Sequence, residues 1–541
     1  MPGADTEVDT EVDAEVAVLI VGGGPVGLTA RALLERWGVR ALLVEKHVEL
    51  SPFPRSRLVN VRSMEIYRRL GLAAEITANA FAPEYGRVRF RDTLRGDDFA
   101  TAAMVGVHAP VPESPAIGVV TSQDRLEPTL LAAADSPVRF GVELIDLVEE
   151  AGSVVAVLVD HRQGRGRETR VRARYVVAAD GANSCVRRRL AIDTAGPGAL
   201  GSFTTVVFDA DLDRWRARQP AGVYFTAHGS FGPLYPEGGW SWFGPTPEDA
   251  AHVDWPDLVS RALGPGSGVR ADVLRVQQWT MNAFVAERFR HGRILLAGDA
   301  AHAVPPIGGL GMNTGVADVH NLCWKLAGVL HGWAGPGLLE TYETERHRVA
   351  HGTLRQSVAN TRLMVQVLNR RRDQLEAGEL ASARVELPWS ERYFAQLGLV
   401  LGVGYRSAAV LGDDDGTPPE PSDSGTDYIP TTRPGHRMPH LWLTHGRSTL
   451  DAFGEWFTLL TPDPARWEQQ SDAPWPLRVE LLPEERLVSC GLRPHGALLV
   501  RPDGHIGARW RERPPNDAAL RHAVSHVVST TTRSTRPGGG R

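Results

Sequence analysis

The sequence predicts an α/β protein of several domains, in which a parallel-sheet domain is interrupted by an antiparallel sheet and followed by a smaller α/β module. Short, wholly apolar runs that end in glycine are typical of buried parallel strands. Aromatic and β-branched segments separated by Gly/Pro turns occupy residues 201–284 and predict the antiparallel sheet. A stretch rich in Pro, Gly and acidic residues, 411–438, is typical of a linker before the last module.

The bulk composition excludes several functional classes. The chain has 541 residues, too many for one hydrophobic core, and a net charge of only -5, so we expect no binding to nucleic acid or to an anionic membrane. The acidic N-terminus is unlike a signal peptide, and the three cysteines form no C-x-x-C pair and no metal-ligand cluster. We therefore expect a cytoplasmic protein without a metal, either a monomer or a homodimer.

The first motif lies in a β-α-β unit near the N-terminus. Residues 16–21 form an apolar strand, residues 25–37 have helical spacing, and residues 41–44 form a second apolar strand that ends at Glu45. The turn between the first strand and the helix reads Gly22-Gly23-Gly24-Pro25-Val26-Gly27, a G-x-G-x-x-G pattern. This arrangement is typical of dinucleotide binding.

Each residue type in this motif has a physical reason. Gly22 permits the tight turn, Gly24 lets the backbone approach a pyrophosphate, and Gly27 allows the helix to pack close to the strand. The N–H groups at the start of the helix present partial positive charge to phosphates. Glu45 can accept hydrogen bonds from both ribose hydroxyls, and we include the adjacent Lys46 among the expected cofactor contacts.

A second glycine-rich motif selects FAD rather than NAD as the bound dinucleotide. It reads Gly298-Asp299-Ala300-Ala301-His302 and then Pro305-Pro306-Ile307-Gly308-Gly309-Leu310-Gly311-Met312-Asn313, after another apolar strand. Asp299 can bind the ribityl hydroxyls. A helix predicted from Asn313 to Leu330, with Gly311 and Met312 just before it, would direct its first amides toward the flavin N1 and C2=O, where they favour the anionic reduced flavin.

A third motif reads Ala179-Asp180-Gly181-Ala182-Asn183-Ser184-Cys185-Val186-Arg187. It follows a predicted strand at 175–178, and a helix is predicted to start at Ser184. Together, the three motifs resemble those of the single-component (group A) flavoprotein aromatic hydroxylases, the family of p-hydroxybenzoate and phenol hydroxylases. The resemblance covers nearly the whole chain.

The resemblance implies a domain organisation. A Rossmann-like FAD-binding domain is expected at residues 15–200 and 285–400, and an inserted antiparallel-sheet substrate domain at 201–284 together with about 85–115. A thioredoxin-like domain without C-x-x-C is expected at 439–528, because the chain most resembles the subgroup that tailors polycyclic aromatic polyketides. Residues 1–14 and 529–541 are expected to be disordered.

The resemblance also assigns site residues. The first motif would bind the ADP part of FAD, and the third, with Asp180, would touch both FAD and NAD(P)H. The stretch from Pro54 to Glu65 resembles the family's P-R-A-x5-R-T-M-E pattern, which makes Arg55 an expected flavin contact. Arg62 is a further candidate, with a surface arginine at a helix N-terminus as the alternative. Gln123 matches the family glutamine that contacts the flavin.

In enzymes of this family, the reduced flavin reacts with O2 to give a C4a-hydroperoxide, and an electron-rich ring takes up its distal oxygen. The resemblance therefore implies hydroxylation of a cyclic or polycyclic aromatic substrate, with NADPH or NADH as a transient co-substrate. No protein nucleophile is needed and no catalytic side chain is assigned, although Pro306 and Gly308 would line the reacting face.

Aromatic residues of the predicted antiparallel sheet are candidates for stacking on such a substrate, with ordinary core packing as the alternative for each. These candidates are Tyr224, Phe225, Phe231, Tyr235, Trp240, Trp242 and Phe243, together with Pro306 from the flavin loop.

Other reactions stay open at this point. Residues 240–245 approach the W-x-W-x-I-P pattern of flavin halogenases, which need a lysine near the substrate, but the only lysines are Lys46 and Lys325, and neither is placed for this role. A Baeyer–Villiger or ring-rearranging oxygenase, acting on a polycyclic ketone or quinone, is the main alternative. A flavoprotein without catalytic activity is a minor one.

Overall fold

The computed structural model describes residues 12–162, 166–264, 268–380, 383–387, 396–412, 427–468, 474–514 and 518–529. The predicted disorder of residues 1–11 and 530–541, and half of the predicted linker (residues 413–426), lie outside the described residues.

The described residues contain the following helices and strands. The helices are α1 Pro25–Arg36, α2 Val61–Arg69, α3 Ala73–Ala78, α4 Gln123–Ala132, α5 Cys185–Arg189, α6 Asp213–Arg218, α7 Trp255–Leu263, α8 Gly311–Leu330, α9 Glu340–Glu376, α10 Leu397–Leu401, α11 Pro464–Glu468, α12 Leu487–Cys490 and α13 Ala519–Ser529. The strands are β1 Ala14–Val21, β2 Ala41–Glu45, β3 Leu58–Val59, β4 Arg87–Arg91, β5 Asp98–Ala103, β6 Val119–Val120, β7 Val138–Phe140, β8 Val142–Glu150, β9 Ser153–Asp160, β10 Arg167–Ala178, β11 Thr194–Asp209, β12 Val223–Thr226, β13 Gly229–Tyr235, β14 Gly238–Pro245, β15 Asp272–Ala286, β16 Arg290–His291, β17 Ile294–Leu296, β18 His302–Ala303, β19 Trp442–Thr444, β20 Arg447–Ser448, β21 Phe457–Thr461, β22 Leu477–Leu481, β23 Ala497–Val500 and β24 Ile506–Trp510.

The first sheet has the order β16-β17-β10-β1-β2-β7, and β8 and β9 extend it through β10. Strands β17, β10, β1, β2 and β7 are parallel. The apolar runs that end β17, β10, β1 and β2 are buried because α1 and α8 pack on the sheet and join its main hydrophobic core, whereas β7 at the edge is partly exposed. The carboxyl ends of β17, β10, β1 and β2 therefore meet at one edge, which is where ligands bind in open parallel sheets.

The second sheet has the order β18-β15-β11-β14-β13-β12-β4-β5, and only β12 and β4 pair in parallel. Strands β4 and β5, at residues 87–103, join it from outside the 201–284 segment, as the sequence predicts. Directly paired residues share a face of the sheet. One face packs on α7, and the other faces the parallel-sheet domain.

The C-terminal module has a four-stranded sheet of order β22-β21-β23-β24, in which only β21 and β22 are parallel. This order and these directions are those of a thioredoxin-like fold, and α13 packs against the sheet core. The predicted fold class is therefore confirmed. The domain boundaries stay predictions.

Two edges of the predicted irregular regions are wrong. The amide of Asp13 donates to Arg170 O at 2.9 Å and β1 begins at Ala14, so order starts before residue 15. The predicted linker also continues too far: Met438 is fully buried, and Arg437 is buried beside Glu65 with Nε to Oε2 at 3.0 Å. A Pro/Gly-rich segment is ordered where a buried ion pair and backbone hydrogen bonds hold it.

Candidate active site

Four turns meet at the carboxyl edge of the parallel sheet. Gly22 follows β1, Glu45 ends β2, Asp180 follows β10, and Asp299 follows β17. Gly22 has φ of 107°, and a side chain there would collide with the carbonyl oxygen of Ala179. The first and third motifs are therefore in direct backbone contact.

The second motif packs against the first through its glycines. Gly298 has φ of 61°, and a Cβ there would lie 2.9 Å from Val26 Cγ2 in α1. A Cβ at Gly315 of α8 would lie 2.8 Å from Gly298 Cα. The two glycine turns, which are far apart in the sequence, thus lie side by side, and Gly311 is next to Asp299.

Two helix N-termini open into the cleft at this edge. Helices α1 and α8 have Gly24 and Leu310 as N-cap residues, and neither residue has a side-chain acceptor that could cap its helix. The first amides of each helix are free of intrahelical partners. A Cβ at Gly24 would meet no atom within 4 Å, so the space in front of α1 is open. This donor set fits the phosphates and flavin ring of FAD.

Acidic side chains complete the edge. Glu45 Oε2 accepts from the amide of Gly23 at 2.7 Å, which aims the carboxylate across the first turn, and Lys46 beside it is exposed. The carboxylate of Asp299 is open to the cleft. Burial by the surrounding walls nevertheless raises its pKa, against the opposing effects of His302 and Arg55. The hydroxyl groups of a bound ligand could donate hydrogen bonds to this carboxylate. They would replace the hydrogen bonds from water that the surrounding protein excludes.

Arg55 lies near two carboxyl groups, those of Asp299 and Glu127, and its charge opposes the rise that burial causes in the pKa of each. Glu127 is buried on α4, and its Oε1 accepts from Gln123 Nε2 at 2.7 Å. The other end of the Gln123 amide accepts from the amide of Ser56 at 3.3 Å. Burial raises the pKa of Glu127 to about 7, despite the hydrogen bond from Gln123 and the charge of Arg55. The sequence alone did not single out Glu127.

We expect Glu127→Gln to remove a pH dependence of stability from the flavin-free protein. The folded carboxyl titrates near pH 7 and the unfolded one near 4.5, so the folded state binds the extra proton and loses stability as the pH rises through this window. The loss amounts to roughly 3 kcal/mol, and a glutamine should abolish it. Urea unfolding at pH 5 and pH 8 measures the difference. Glu168→Gln, on an exposed part of β10, is the control; equal pH slopes in wild type and Glu127→Gln would contradict the prediction.

The loop of residues 305–310 is held from two sides. Asn313 Nδ2 donates to Gly309 O at 2.7 Å and to Leu58 O at 2.9 Å. Asn360 Nδ2 of α9 donates to Ile307 O at 3.2 Å. Helix α8 begins at Gly311, two residues before the predicted start, so Asn313 lies within its first turn and its side chain orders the loop. Pro306 at the loop apex is exposed to the cleft.

Three of the predicted substrate residues are wrong. Tyr224, Trp240 and Trp242 are at most 4% exposed and pack under α7, together with the further candidate Phe231. They occupy the face of the sheet that points away from the parallel-sheet domain. Alternation along the strands decides the face, and the sequence could not show which set of aromatic residues would lie under α7.

The opposite face of this sheet borders the cleft. A side chain at Gly232 would collide with the guanidinium of Arg57, and Arg275 Nη1 donates to Pro52 O at 2.7 Å, so this face meets the loop around Arg55. Phe225 lies on it, in one buried cluster with Ile307 of the flavin loop. The partly exposed side chains that share this face in register are Phe203, Thr205, Phe243, Gln277 and Trp279.

Tyr235 has a different environment from the other aromatic candidates. Its hydroxyl donates to Asp124 Oδ2, and Arg125 lies over its ring at 4.6 Å. Burial and Asp124 raise its pKa. Tyr235 therefore joins the antiparallel sheet to the start of α4, next to Gln123.

Two predicted cofactor contacts, Arg62 and Asp180, have protein partners. Arg62 donates to Glu65 Oε2 at 2.9 Å and to Asp503 O at 3.0 Å, so it joins α2 to the C-terminal module and the flavin assignment is wrong. The Asp180 carboxylate accepts from Ser184 Oγ at 2.6 Å and from the amide of Val186 at 3.2 Å, which caps α5. The backbone of this turn faces Gly22, and a cofactor contact of the Asp180 side chain stays a prediction.

Two arginines that the sequence did not single out hold the site together. Arg57 Nη1 donates to Gly222 O and Pro233 O, each at 3.0 Å, and burial lowers its pKa to about 10. Arg187 Nη1 donates to Ala300 O at 2.8 Å, which joins the third motif to the second. Both lie inside motifs, but only their spatial partners reveal these roles.

This fold and these converging turns define an FAD-dependent monooxygenase, and the comparisons with known proteins show its family. Residues 15–357 match the family described as FAD binding domain, and residues 431–530 match the family described as aromatic-ring hydroxylase, C-terminal. The chain belongs to the FAD-dependent aromatic-ring hydroxylases. It is therefore a flavin-dependent oxidoreductase, in a family for which NAD(P)H is the typical co-substrate.

Similar proteins cover the whole length of the chain. An aklavinone 12-hydroxylase from Streptomyces purpurascens is 36% identical over 95% of this chain and 99% of that protein. A tetracenomycin A2 monooxygenase-dioxygenase from Streptomyces glaucescens is 33% identical over 97% of this chain and 98% of that protein. A solved structure of aklavinone-11 hydroxylase with FAD and aklavinone has a TM-score of 0.81 and 34% identity, covering 96% and 100% of the two chains. The flavin-dependent monooxygenase PieE, solved with FAD and substrate, has a TM-score of 0.85 at 31% identity, covering 96% and 100%.

Proposed function

We propose that this enzyme uses NAD(P)H and O2 to hydroxylate a polycyclic aromatic substrate of the polyketide type. The observation that carries the proposal is the cleft between the carboxyl edge of the parallel sheet and the inner face of the antiparallel sheet. Flat aromatic side chains on that face, such as Phe243 and Trp279, suit stacking against fused rings. Relatives named for aklavinone and tetracenomycin support this substrate class.

In this proposal, the cofactor contacts come from the ends of β1, β2 and β17 and from the start of α8. The turn Gly22–Gly27 and α1 hold the pyrophosphate, Glu45 and Lys46 hold the adenosine ribose, Asp299 holds the ribityl chain, and the amides of Gly311–Asn313 face the ring. Arg55 lies near both Asp299 and Glu127, and Gln123 donates to the Glu127 carboxyl. The substrate would lie between Pro306 and the sheet face that bears Phe225 and Phe243.

The bound FAD supplies the activation of O2 and the oxygen transfer. The residues of the protein bind and orient FAD and the substrate, and they shield both from water. The free amides of α8 stabilise negative charge near Gly311, because the partial positive charge of a helix N-terminus favours an anion. Asn313 and Asn360 fix the loop behind Pro306, so the substrate meets a rigid wall. The aromatic face excludes water from the reacting side.

The positions of the two lysines argue against the halogenase alternative. Lys325 is fully buried, and its Nζ donates to Glu345 Oε2 at 2.7 Å in the cluster that also contains Arg501 of the C-terminal module. Lys46 follows the ribose carboxylate. A Baeyer–Villiger or ring-rearranging reaction uses the same cleft, and the product distinguishes it from hydroxylation.

The test is a screen of polycyclic phenols and quinones for stimulated oxidation of NADPH and of NADH, with product identification by mass and NMR. We expect coupled formation of a product one oxygen heavier with a new aromatic hydroxyl. A lactone or rearranged skeleton would replace the hydroxylase proposal with the Baeyer–Villiger alternative. A flavin-loaded enzyme that no polycyclic compound stimulates would contradict the substrate class.

Location and assembly belong to the same proposal. No helix in the part of the chain that the structure describes is long and apolar enough to cross a membrane. Cys185, Cys323 and Cys490 are all free thiols, which supports the cytoplasm as the proposed location. Light scattering of the purified protein would distinguish a monomer from a homodimer, the two states that we expect.

A further inference from the structure

We propose that the C-terminal domain positions the turn that carries Asp299, through one chain of buried contacts from the hairpin Arg501–His505 to Asp318. The inference rests on the proposed place of Asp299 in the flavin site. It gives the thioredoxin-like domain, which has no C-x-x-C pair, a function in the oxygenase reaction. The residues that make these contacts are positioning residues, because they act on the flavin site through Asp299.

The first contacts join the hairpin to α8 and α9. Arg501 donates to both carboxylate oxygens of Glu345, at 2.6 and 2.9 Å, and to Asp503 Oδ2 at 2.5 Å. Asn321 Nδ2 donates to Glu345 Oε2 at 2.7 Å, and Lys325 Nζ donates to the same oxygen. All five side chains are 0–2% exposed, and two positive and two negative charges balance. The hairpin is therefore seated in one orientation.

Tyr405 links the hairpin to Arg346, the next residue on the path to the Asp299 turn. Its ring stacks on His505, with centroids 4.1 Å apart and planes 27° apart, and its amide donates to Gly435 O at 2.8 Å. Its hydroxyl accepts from Arg346 Nη1 at 3.2 Å. Arg346 directly follows Glu345 on α9, so neighbouring residues of one helix reach the hairpin and Tyr405.

Arg346 continues the chain to Asp318. Its Nε donates to Asp318 Oδ1 at 2.7 Å, and its Nη2 donates to Thr314 O at 3.1 Å in the first turns of α8. Asp318 is fully buried, and although burial acts to raise its pKa, His302 and Arg346 hold it below the ordinary value. The carboxylate therefore stays charged in the folded protein.

Asp318 binds the turn that carries Asp299 at residues on both sides of Asp299. Its Oδ2 accepts from the amide of Gly298 at 3.1 Å and from His302 Nε2 at 2.7 Å. Gly298 and His302 enclose Asp299 in the sequence, and one carboxylate oxygen thus sets the path of the backbone between them. A small displacement of Arg346 would move the Asp299 carboxylate relative to α8, because packed polar networks transmit shifts without absorbing them.

Tyr405→Phe tests the chain with the least disturbance, because it removes the bond to Arg346 and keeps the ring on His505. Tyr428→Phe is the matched control. The Tyr428 hydroxyl accepts from Arg437 Nη1 at 3.2 Å, also at the boundary of the C-terminal domain, but Arg437 leads to Glu65 and not to Asp318. The readouts are the FAD dissociation constant, the visible spectrum of bound flavin and the melting temperature of the flavin-free protein.

We expect Tyr405→Phe to weaken FAD binding by about tenfold and to shift the flavin spectrum, because a hydrogen bond to a charged group is lost. Tyr428→Phe should leave both unchanged, while the two variants lower the melting temperature alike. Unchanged FAD affinity and spectrum in Tyr405→Phe, or equal weakening by both variants, would overturn the proposal.

A second pair of variants tests the contact between the hairpin and Tyr405. His505→Ala removes the stack on Tyr405 and should weaken FAD binding, whereas His505→Phe should restore it. Failure of this rescue would also overturn the proposal. Asp299→Ala separates the two levels of inference: if it binds FAD normally, the site assignment is wrong, and if it loses FAD while Tyr405→Phe does not, only the positioning chain is wrong.

Discussion

Asp299→Ala is expected to purify without FAD and to take it up at least about 100-fold more weakly than the wild type. Two hydrogen bonds to a charged acceptor contribute roughly 3 kcal/mol or more, which corresponds to this factor. Burial raises the pKa of the Asp299 carboxyl, so this charge destabilises the flavin-free fold. The melting temperature of the flavin-free variant should therefore be no lower than that of the wild type.

Weaker FAD binding together with a melting temperature that is no lower than that of the wild type would distinguish a lost ligand contact from unfolding. Equilibrium titration with FAD, followed by flavin fluorescence, and thermal melting of the flavin-free protein measure the two quantities. Asp299→Asn, which keeps a hydrogen-bonding group, should lie between Ala and wild type. Asp249→Ala, at an exposed carboxylate of the substrate domain, is the control and should bind FAD normally. An Asp299→Ala protein that keeps its yellow colour would refute the assignment.

Arg501→Leu is expected to lower the free energy of unfolding by about 3–5 kcal/mol. The substitution leaves Glu345 and Asp503 buried with one positive partner, Lys325, instead of two. Burial and the charge of Arg501 lower the pKa of Lys325 to about 8 in the wild type, against the charge of Glu345, so the folded wild type releases this proton before the unfolded chain does and gains stability above pH 8. In Arg501→Leu the pKa of Lys325 returns toward its ordinary value and this gain is absent, so the loss should increase between pH 7 and pH 9. Urea unfolding at both pH values measures it.

Arg447→Leu is the matched comparison in the same domain. Arg447 pairs with Glu480 at 2.9 Å, but its side chain is 44% exposed. Water screens such a pair, and its loss should cost less than about 1 kcal/mol at either pH. Similar costs for the two substitutions would show that the Arg501 cluster does not hold the C-terminal domain in place.

Much of the fold follows from local patterns. The run at 16–21, the helix after Pro25 and the strand before Glu45 were predicted to within a few residues, because buried parallel strands and glycine turns leave strong periodic signals. The end of the linker was not, because the order of residues 432–438 depends on Glu65, which is distant in the sequence.

The candidate site was predicted in part. Turns that follow parallel strands share one edge of the sheet, so the sequence could bring Gly22, Glu45 and Asp299 together by a general rule. It could not choose between the faces of the antiparallel sheet. Trp240 and Phe243 are equally aromatic, and only the packing of α7 on one face separates core from cleft.

The sequence by itself determined the family, the FAD cofactor and the strand-end turns, because each depends on residue types at fixed short spacings. Tertiary structure alone decided the direction of Arg62, the role of Glu127 and the seating of the Arg501 hairpin. The physical reason is that buried charges and partners distant in the sequence acquire their energies only when the chain has excluded water from around them.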